Sequence, residues 1–225
     1  MAEAGPLVAV LAAGLGTRFA NESNTGKLDA DCAGKPLGRW VLDAVVAGGL
    51  APGVVVVGPR APGFALASGW ALVTNPNPEA GLGGSVALAG AAALAQYRDL
   101  VLVLADMPLV APAFLAELAA HGGAAATRHP DGRAGVPALL PLAVLGKAAQ
   151  LAGERGAARL LAGMDGLTLL DPPPGMLVDV DHAADLAKVA ALLRPAQTPA
   201  PRRVSRRYVR SGHSLERRSR SPARR

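Results

Sequence analysis

Two glycines, an arginine and a lysine follow the first apolar run of the chain, in LVAVLAAGLGTRFANESNTGKL. Gly14 and Gly16 allow backbone amides to converge on an anion, because glycine tolerates positive φ and close approach. Arg18 adds a planar fork suited to phosphate oxygens, and Lys27 a movable point charge. Plain turn geometry would explain the glycines equally well, so these residues alone leave both readings open. Two other phosphate loops are excluded. A dinucleotide fingerprint needs Gly or Ala three residues beyond Gly16, where Phe19 stands. A Walker loop needs a glycine five residues before Gly26 and Ser or Thr after Lys27; the chain has Asn21 and Leu28.

The acidic candidates come later. In DLVLVLADMPLV, Asp106 ends a fully apolar run. It can hold magnesium, which favours one or two carboxylates plus substrate phosphates, or cap the turn into the next helix. In LVDVDHAADL, Asp179 and Asp181 alternate with Val180 and would share one face of a strand. Either can complete the metal site or cap the helix beginning near Ala183; Asp181, nearer the strand end, is the choice for the metal. In NPNPEAGLGGSVALAG, Gly81, Gly83 and Gly84 precede Ser85, which opens a helix, and backbone groups exposed there can read a base edge. A serine nucleophile is disfavoured, since G-x-S-x-G fails at Ala87. His121, His129, His182 and His213 share no metal-ligand spacing with one another or with Cys32, which argues against zinc.

The elements that must position these residues are apolar strands alternating with alanine-rich helices. Strands are expected at Leu7–Leu11, Gly53–Val57, Ala71–Thr74, Leu100–Leu104, Ala124–Thr127, Gly135–Leu140, Leu167–Leu170 and Met176–Asp179. Helices are expected at Leu37–Ala47, Ser85–Ala95, Pro112–Ala120, Leu142–Leu151 and Ala183–Leu193. The runs VVVV and LVLVL are apolar on both faces, as strands covered on each side by helices should be. The pattern predicts an α/β three-layer Rossmann-like sandwich with a mostly parallel sheet. Ligands in such sheets bind beyond the carboxyl ends of the strands.

Composition narrows the partners. Hydrophobic residues make up 51% of the 225, enough for a sizeable core, but aromatics only 3%, so few rings are left to stack on bases. The net charge of +6 is unevenly placed. Residues 196–225 hold ten arginines and one glutamate, which gives this segment +9 and the rest of the chain −3. The chain thus divides into a domain over 1–195 and an Arg/Ser/Pro-rich tail over 196–225, expected to be disordered because it has almost no aliphatics to bury. Contact with nucleic acid is expected only through that tail. The run Val8–Ala13 is too short to cross a bilayer, so no membrane association is expected. Cys32, the single cysteine, cannot form an internal disulfide, which points to a reducing cytoplasm.

With these residues in hand, the chain resembles the MobA/MocA-like nucleotidyltransferases, and within them the molybdenum cofactor cytidylyltransferases. LAAGLGTRF, GKL, GKPLGRWVLDAV, NPNPEAGLGGSVALAG, LADMPLV, GVPALLP, GERGAARLL and DVDHAADL follow the family's order from Leu7 to Leu193. The resemblance implies a fold of the nucleotide-diphospho-sugar transferase type. It implies that Gly14, Gly16, Thr17 and Arg18 hold an NTP, that Lys27 neutralises charge at the reacting phosphates, and that Asp106 binds Mg2+. Leu11, Ala12 and Ala13, with Gly81, Gly83 and Ser85, would surround the base. Guanine-specific members tend to have Gly where this chain has Ala13, which points to CTP. The acceptor so implied is molybdenum–molybdopterin, with a molybdoenzyme or its chaperone as a protein partner. GLGTR also resembles sugar-phosphate nucleotidyltransferases, NESNTGKL lacks the usual Pro or Asp before its lysine, and the arginine tail has no counterpart in the family. Transfer of a cytidylyl or uridylyl group to an isoprenoid-precursor or sugar phosphate is therefore the alternative, and a non-catalytic nucleotide-binding protein of the same fold is a third.

Overall fold

β1 (Leu7–Ala12) is buried along its whole length, and its side chains divide by parity. Val8, Val10 and Ala12 join one core and Leu7, Ala9 and Leu11 another, on opposite faces of the sheet. The computed structural model describes residues 5–16, 19, 26–149, 151 and 156–194. The expected tail, 196–225, lies outside them.

Around β1 the remaining strands are β2 (Asp31–Cys32), β3 (Lys35–Pro36), β4 (Val54–Val57), β5 (Ala71–Thr74), β6 (Leu100–Leu104), β7 (Ala125–Arg128), β8 (Ala134–Leu140) and β9 (Thr168–Leu170). The main sheet runs β5-β4-β1-β6-β8-β7-β9, and β2 and β3 form a separate small hairpin. Pairing is parallel from β5 through β6 and between β7 and β9; β8 alone is reversed, antiparallel to both β6 and β7. The sheet is therefore mostly parallel, as the sequence predicts.

The helices are α1 (Arg39–Ala47), α2 (Gly63–Leu66), α3 (Leu82–Ala95), α4 (Pro112–Ala119), α5 (Leu145–Ala148), α6 (Gly156–Ala162) and α7 (Ala183–Leu193). One face of the sheet is covered by α1, α2, α4 and α7 through Val41, Phe64, Leu115 and Val189. The other is covered by α3, α5 and α6 through Val86, Leu145 and Leu161. These are the three layers expected from strands apolar on both faces.

Several boundaries differ from expectation. Met176–Asp179 is not a strand. Gly175 takes φ +79, the Met176 amide bonds the Pro173 carbonyl, and Val180 gives its amide to the Asp106 carbonyl at 3.1 Å rather than to a ladder. The apolar run there reflects Met176 and Val180, both buried in the core from an irregular segment. The expected helix Leu142–Leu151 shrinks to a 3₁₀ turn and α5. The helix expected from Ser85 starts at Leu82, so Gly83 and Gly84 are helical. The β2–β3 hairpin, α2 and α6 were not anticipated.

Gly53 shows how closely β4 approaches β1. A Cβ there would overlap the Val8 carbonyl group. Gly53→Ala should lower stability by about 1–3 kcal/mol, the usual cost of forcing an extra methyl into a packed interior. The check is equilibrium denaturation, and an unchanged midpoint would show that the β1–β4 spacing yields freely.

Candidate functional site

The carboxyl ends of β1, β4 and β6 lie side by side, because Ala12 is in register with Val57 and Leu11 with Leu104. Beyond β6 the chain stays hooked to β1, with the Ala105 amide donating to the Leu11 carbonyl at 3.0 Å. Asp106 is the next residue, held above the edge of the sheet. The Val180 amide bonds its carbonyl, which brings Asp181 to the same place. Lys27 arrives from the loop after β1, on a 3₁₀ turn whose Leu28 is buried. Gly16 lies against this turn at φ +58, and the positive φ explains a glycine here.

Lys27 Nζ donates to Asp106 Oδ2 at 2.7 Å and reaches Asp181 Oδ1 at 3.4 Å. The lysine side chain is 12% exposed, so its charge is largely removed from water. Asp179 is solvent-accessible at its surface, yet its carboxyl is pushed above the usual aspartate range. Partial desolvation contributes most, followed by the Asp106 charge. Asp106 stands five residues before Ala111, the N-cap of α4, so it does not cap that helix. At the start of α7 the N-cap is His182, whose amide bonds Asp185 Oδ2 at 3.1 Å.

The donor set suits a divalent ion. Lys27 demonstrates that one cation can reach both carboxylates, and a hard cation with one or two carboxylates completes its shell with phosphate and water oxygens. Among the described residues no group of three or more His, Cys, Asp or Glu could hold a metal by itself.

Adjoining cavities of about 360, 150 and 560 Å3 open along this edge, and Ala13 and Gly14 line all three. Leu11, Ala12, Gly16, Lys27 and Asp106 border the smallest. Gly81 and Ser85 border the 360 Å3 space, where the first turn of α3 opens. Ser85 Oγ accepts from Asn75 Nδ2 at 3.0 Å and is buried, so the hydroxyl braces the loop before α3. Gly83 is buried within the helix. A Cβ on Gly14 would meet nothing within 4 Å, which leaves the loop open to a ligand. Thr17 and Arg18 lie outside the described residues.

Sequence reasoning passed over Arg60 and Glu79. Both are exposed and line the 560 Å3 cavity, Arg60 from the loop after β4 and Glu79 from the turn before α3. The rule that ligands bind past strand ends, applied to β4 and β5 as well as β1 and β6, would have found them.

Residues 8–168 match the model of the MobA-like NTP transferase domain. The chain belongs to that family. Among solved structures, the chain is similar to Rv0371c from Mycobacterium tuberculosis H37Rv, at 26% identity and TM-score 0.69, over 85% of this chain and all of that one. A structure of the Rv0371c complex with manganese gives 25% identity and TM-score 0.62, over 83% and 98% of the two chains. A nucleotidyl transferase from Methanothermobacter shares the fold, at 22% identity and TM-score 0.69 over 84% and 97%. A search of the curated proteins finds no match.

As a MobA-like NTP transferase domain, the protein is a nucleotidyltransferase that takes a nucleoside triphosphate. No helix among its described residues is long and apolar enough to cross a membrane.

The carboxylates predict how this transferase domain responds to losing Lys27. Asp179 already titrates high, so its ionisation lowers stability as pH rises through the window between its unfolded and folded values. Lys27 is the charge that opposes this shift. Lys27→Ala should therefore destabilise most near neutral pH, and the difference from wild type should shrink as pH falls toward 4. Thermal melts at the two pH values check this. A difference independent of pH would mean that the carboxylates do not repel one another appreciably.

Proposed function

We propose that the protein is a magnesium-dependent cytidylyltransferase that joins CMP from CTP to the phosphate of the molybdenum–molybdopterin cofactor and releases pyrophosphate. The observation that carries this reading is Lys27 poised between Asp106 and Asp181 at the floor of a cleft lined by Ala13, Gly14 and Gly16. An oxygen of the acceptor phosphate attacks the α-phosphorus of CTP in line. The bond from that phosphorus to the bridging oxygen breaks, and its electron pair leaves with pyrophosphate. No covalent enzyme intermediate is needed; positioning and charge stabilisation supply the rate.

Gly14 and Gly16, with Thr17 and Arg18, hold the triphosphate through backbone amides and the guanidinium fork. Lys27 places its ammonium against the charge that develops on the transferring phosphate. Asp106 and Asp181 would hold magnesium, which when bound neutralises phosphate oxygens. The manganese complex of the similar Rv0371c supports a divalent ion here. Leu11, Ala12 and Ala13 face the base, with Gly81 and Ser85 on the opposite wall and Gly83 behind them. With 3% aromatic residues in the chain, the base is read by amides and small side chains more than by stacking. The catalytic domain in this reading is residues 1–195, and the Arg/Ser/Pro-rich stretch 196–225 is assigned no part in the transfer.

The deciding experiment is a panel of NTPs against phosphorylated acceptors, with pyrophosphate release as the readout. Release with CTP and molybdenum–molybdopterin is expected; release only with an isoprenoid-precursor or sugar phosphate would replace the acceptor. Asp106→Asn should lower kcat by roughly a hundredfold or more while leaving the fold intact, since the amide is no longer an anionic ligand. Undiminished turnover at saturating magnesium would remove Asp106 from the metal site.

Base choice rests on Ala13, 6% exposed where β1 gives way to the loop. Its methyl takes space that a purine needs. Ala13→Gly should narrow the preference for CTP over GTP by ~1–3 kcal/mol, roughly ten- to two-hundredfold in kcat/KM. A wild type that already prefers GTP would overturn the assignment of the base and leave that of the reaction standing.

A further inference from the structure

The ammonium of Lys27 is useful only where it stands, and the residue two positions on fixes the turn that carries it. Asp29 closes the 3₁₀ turn Lys27–Asp29. Its Oδ2 accepts the Gly63 amide and its Oδ1 the Phe64 amide, each at 2.7 Å. These are the first amides of α2, whose N-cap, Pro62, makes no capping hydrogen bond of its own. A carboxylate taking two amides at once fixes both the distance and the orientation of the turn.

The anchor is itself rigid. Phe64 and Ala65 are buried, and Phe64 lies so close over Gly38 that a Cβ there would meet its ring at 2.6 Å. Gly38 in turn donates its amide to the Leu28 carbonyl at 3.0 Å, which closes a loop of contacts through both residues after Lys27. α2 begins three residues beyond Arg60, and Gly58, Pro59 and Arg60 form the wall of the 560 Å3 cavity. One carboxylate thus joins the turn bearing Lys27 to the wall across the cleft.

We propose that Asp29 is a positioning residue for Lys27, locking the lysine turn to α2 and, through it, to the β4 side of the nucleotide cleft. The inference rests on the transfer role proposed above for Lys27. Asp29 touches neither substrate nor the reacting phosphates; it sets where the ammonium meets them.

A residue that merely capped α2 would affect the melting temperature and leave Lys27 in place. Acylation of full-length protein by an N-hydroxysuccinimide ester, mapped by peptide mass spectrometry, distinguishes the two. In wild type the Lys27 amine is shielded between two carboxylates and should react slowly. Asp29→Ala should raise its labelling roughly tenfold relative to the exposed Lys147 and Lys188, the scale of losing charge-assisted hydrogen bonds. Asp29→Asn keeps one acceptor oxygen, should show a smaller rise, and serves where the alanine variant does not fold. Unchanged Lys27 labelling in a folded Asp29 variant overturns the proposal.

Pyrophosphate release from CTP, with the acceptor identified by the panel, separates this inference from the reading beneath it. Asp29→Ala should lower kcat roughly tenfold with little change in KM, and should cost nothing further in a Lys27→Ala background. Wild-type turnover by Lys27→Ala would overturn the role of the lysine itself. Slow turnover by Lys27→Ala, with an undiminished additional loss on changing Asp29, would overturn the positioning link and leave the lysine's role standing.

Discussion

The ammonium of Lys27 lies between the carboxylates of Asp106 and Asp181, and three segments distant in sequence meet around it. Two carboxylates this close would repel without a cation; at 4 Å, like charges cost about 1 kcal/mol in water and about 4 kcal/mol at the effective dielectric of a protein surface. The lysine turns that repulsion into cohesion. Much of the surrounding geometry follows from the need to deliver it there: a left-handed glycine at position 16, a buried Leu28, and a backbone bond from Val180 to Asp106. With Asp179 nearby, the group still carries more negative than positive charge, which suits a divalent cation and phosphate together better than either alone.

The sheet supplies the precision. Each central strand is anchored on both faces, so its carboxyl end can move little without disturbing two cores. Loops at such ends can be short, polar and glycine-bearing because the scaffold beneath them is stiff. The base reading proposed above, by amides and a single methyl, would need that stiffness, since a displacement of a few tenths of an ångström would blur the difference between a pyrimidine and a purine.

Much of this was legible in the residues. Runs such as VVVV and LVLVL have no polar face to offer water, so they fixed the layer order, and the strand-end rule then singled out Gly14, Gly16 and Asp106. The errors arose where tertiary contacts override local pattern. Val178 and Val180 alternate with Asp179 and Asp181 as a strand would, but Pro173 and Gly175 bend the chain and its backbone bonds go elsewhere. Gly83 and Gly84 look like loop residues, yet they lie in the first turn of α3, and Gly83 is buried there. Asp29 could not be found from sequence at all, since its partners Gly63 and Phe64 lie 34 and 35 positions away and present only amides.

The reversed direction of β8 has a consequence for how such a cleft can change over evolutionary time. Because β8 runs against β6, its amino end arrives beside the carboxyl end of β6, and the tip of the β7–β8 hairpin, residues 129–133, stands on the same rim as Asp106. On the β4 side the chain must return through crossover helices, so altered loop lengths there risk the packing of a layer. On the β8 side a hairpin tip can lengthen, shorten or change charge while every ladder pair below it stays in register. One half of the rim is thus tied to the architecture, and the other is free to vary without disturbing a layer.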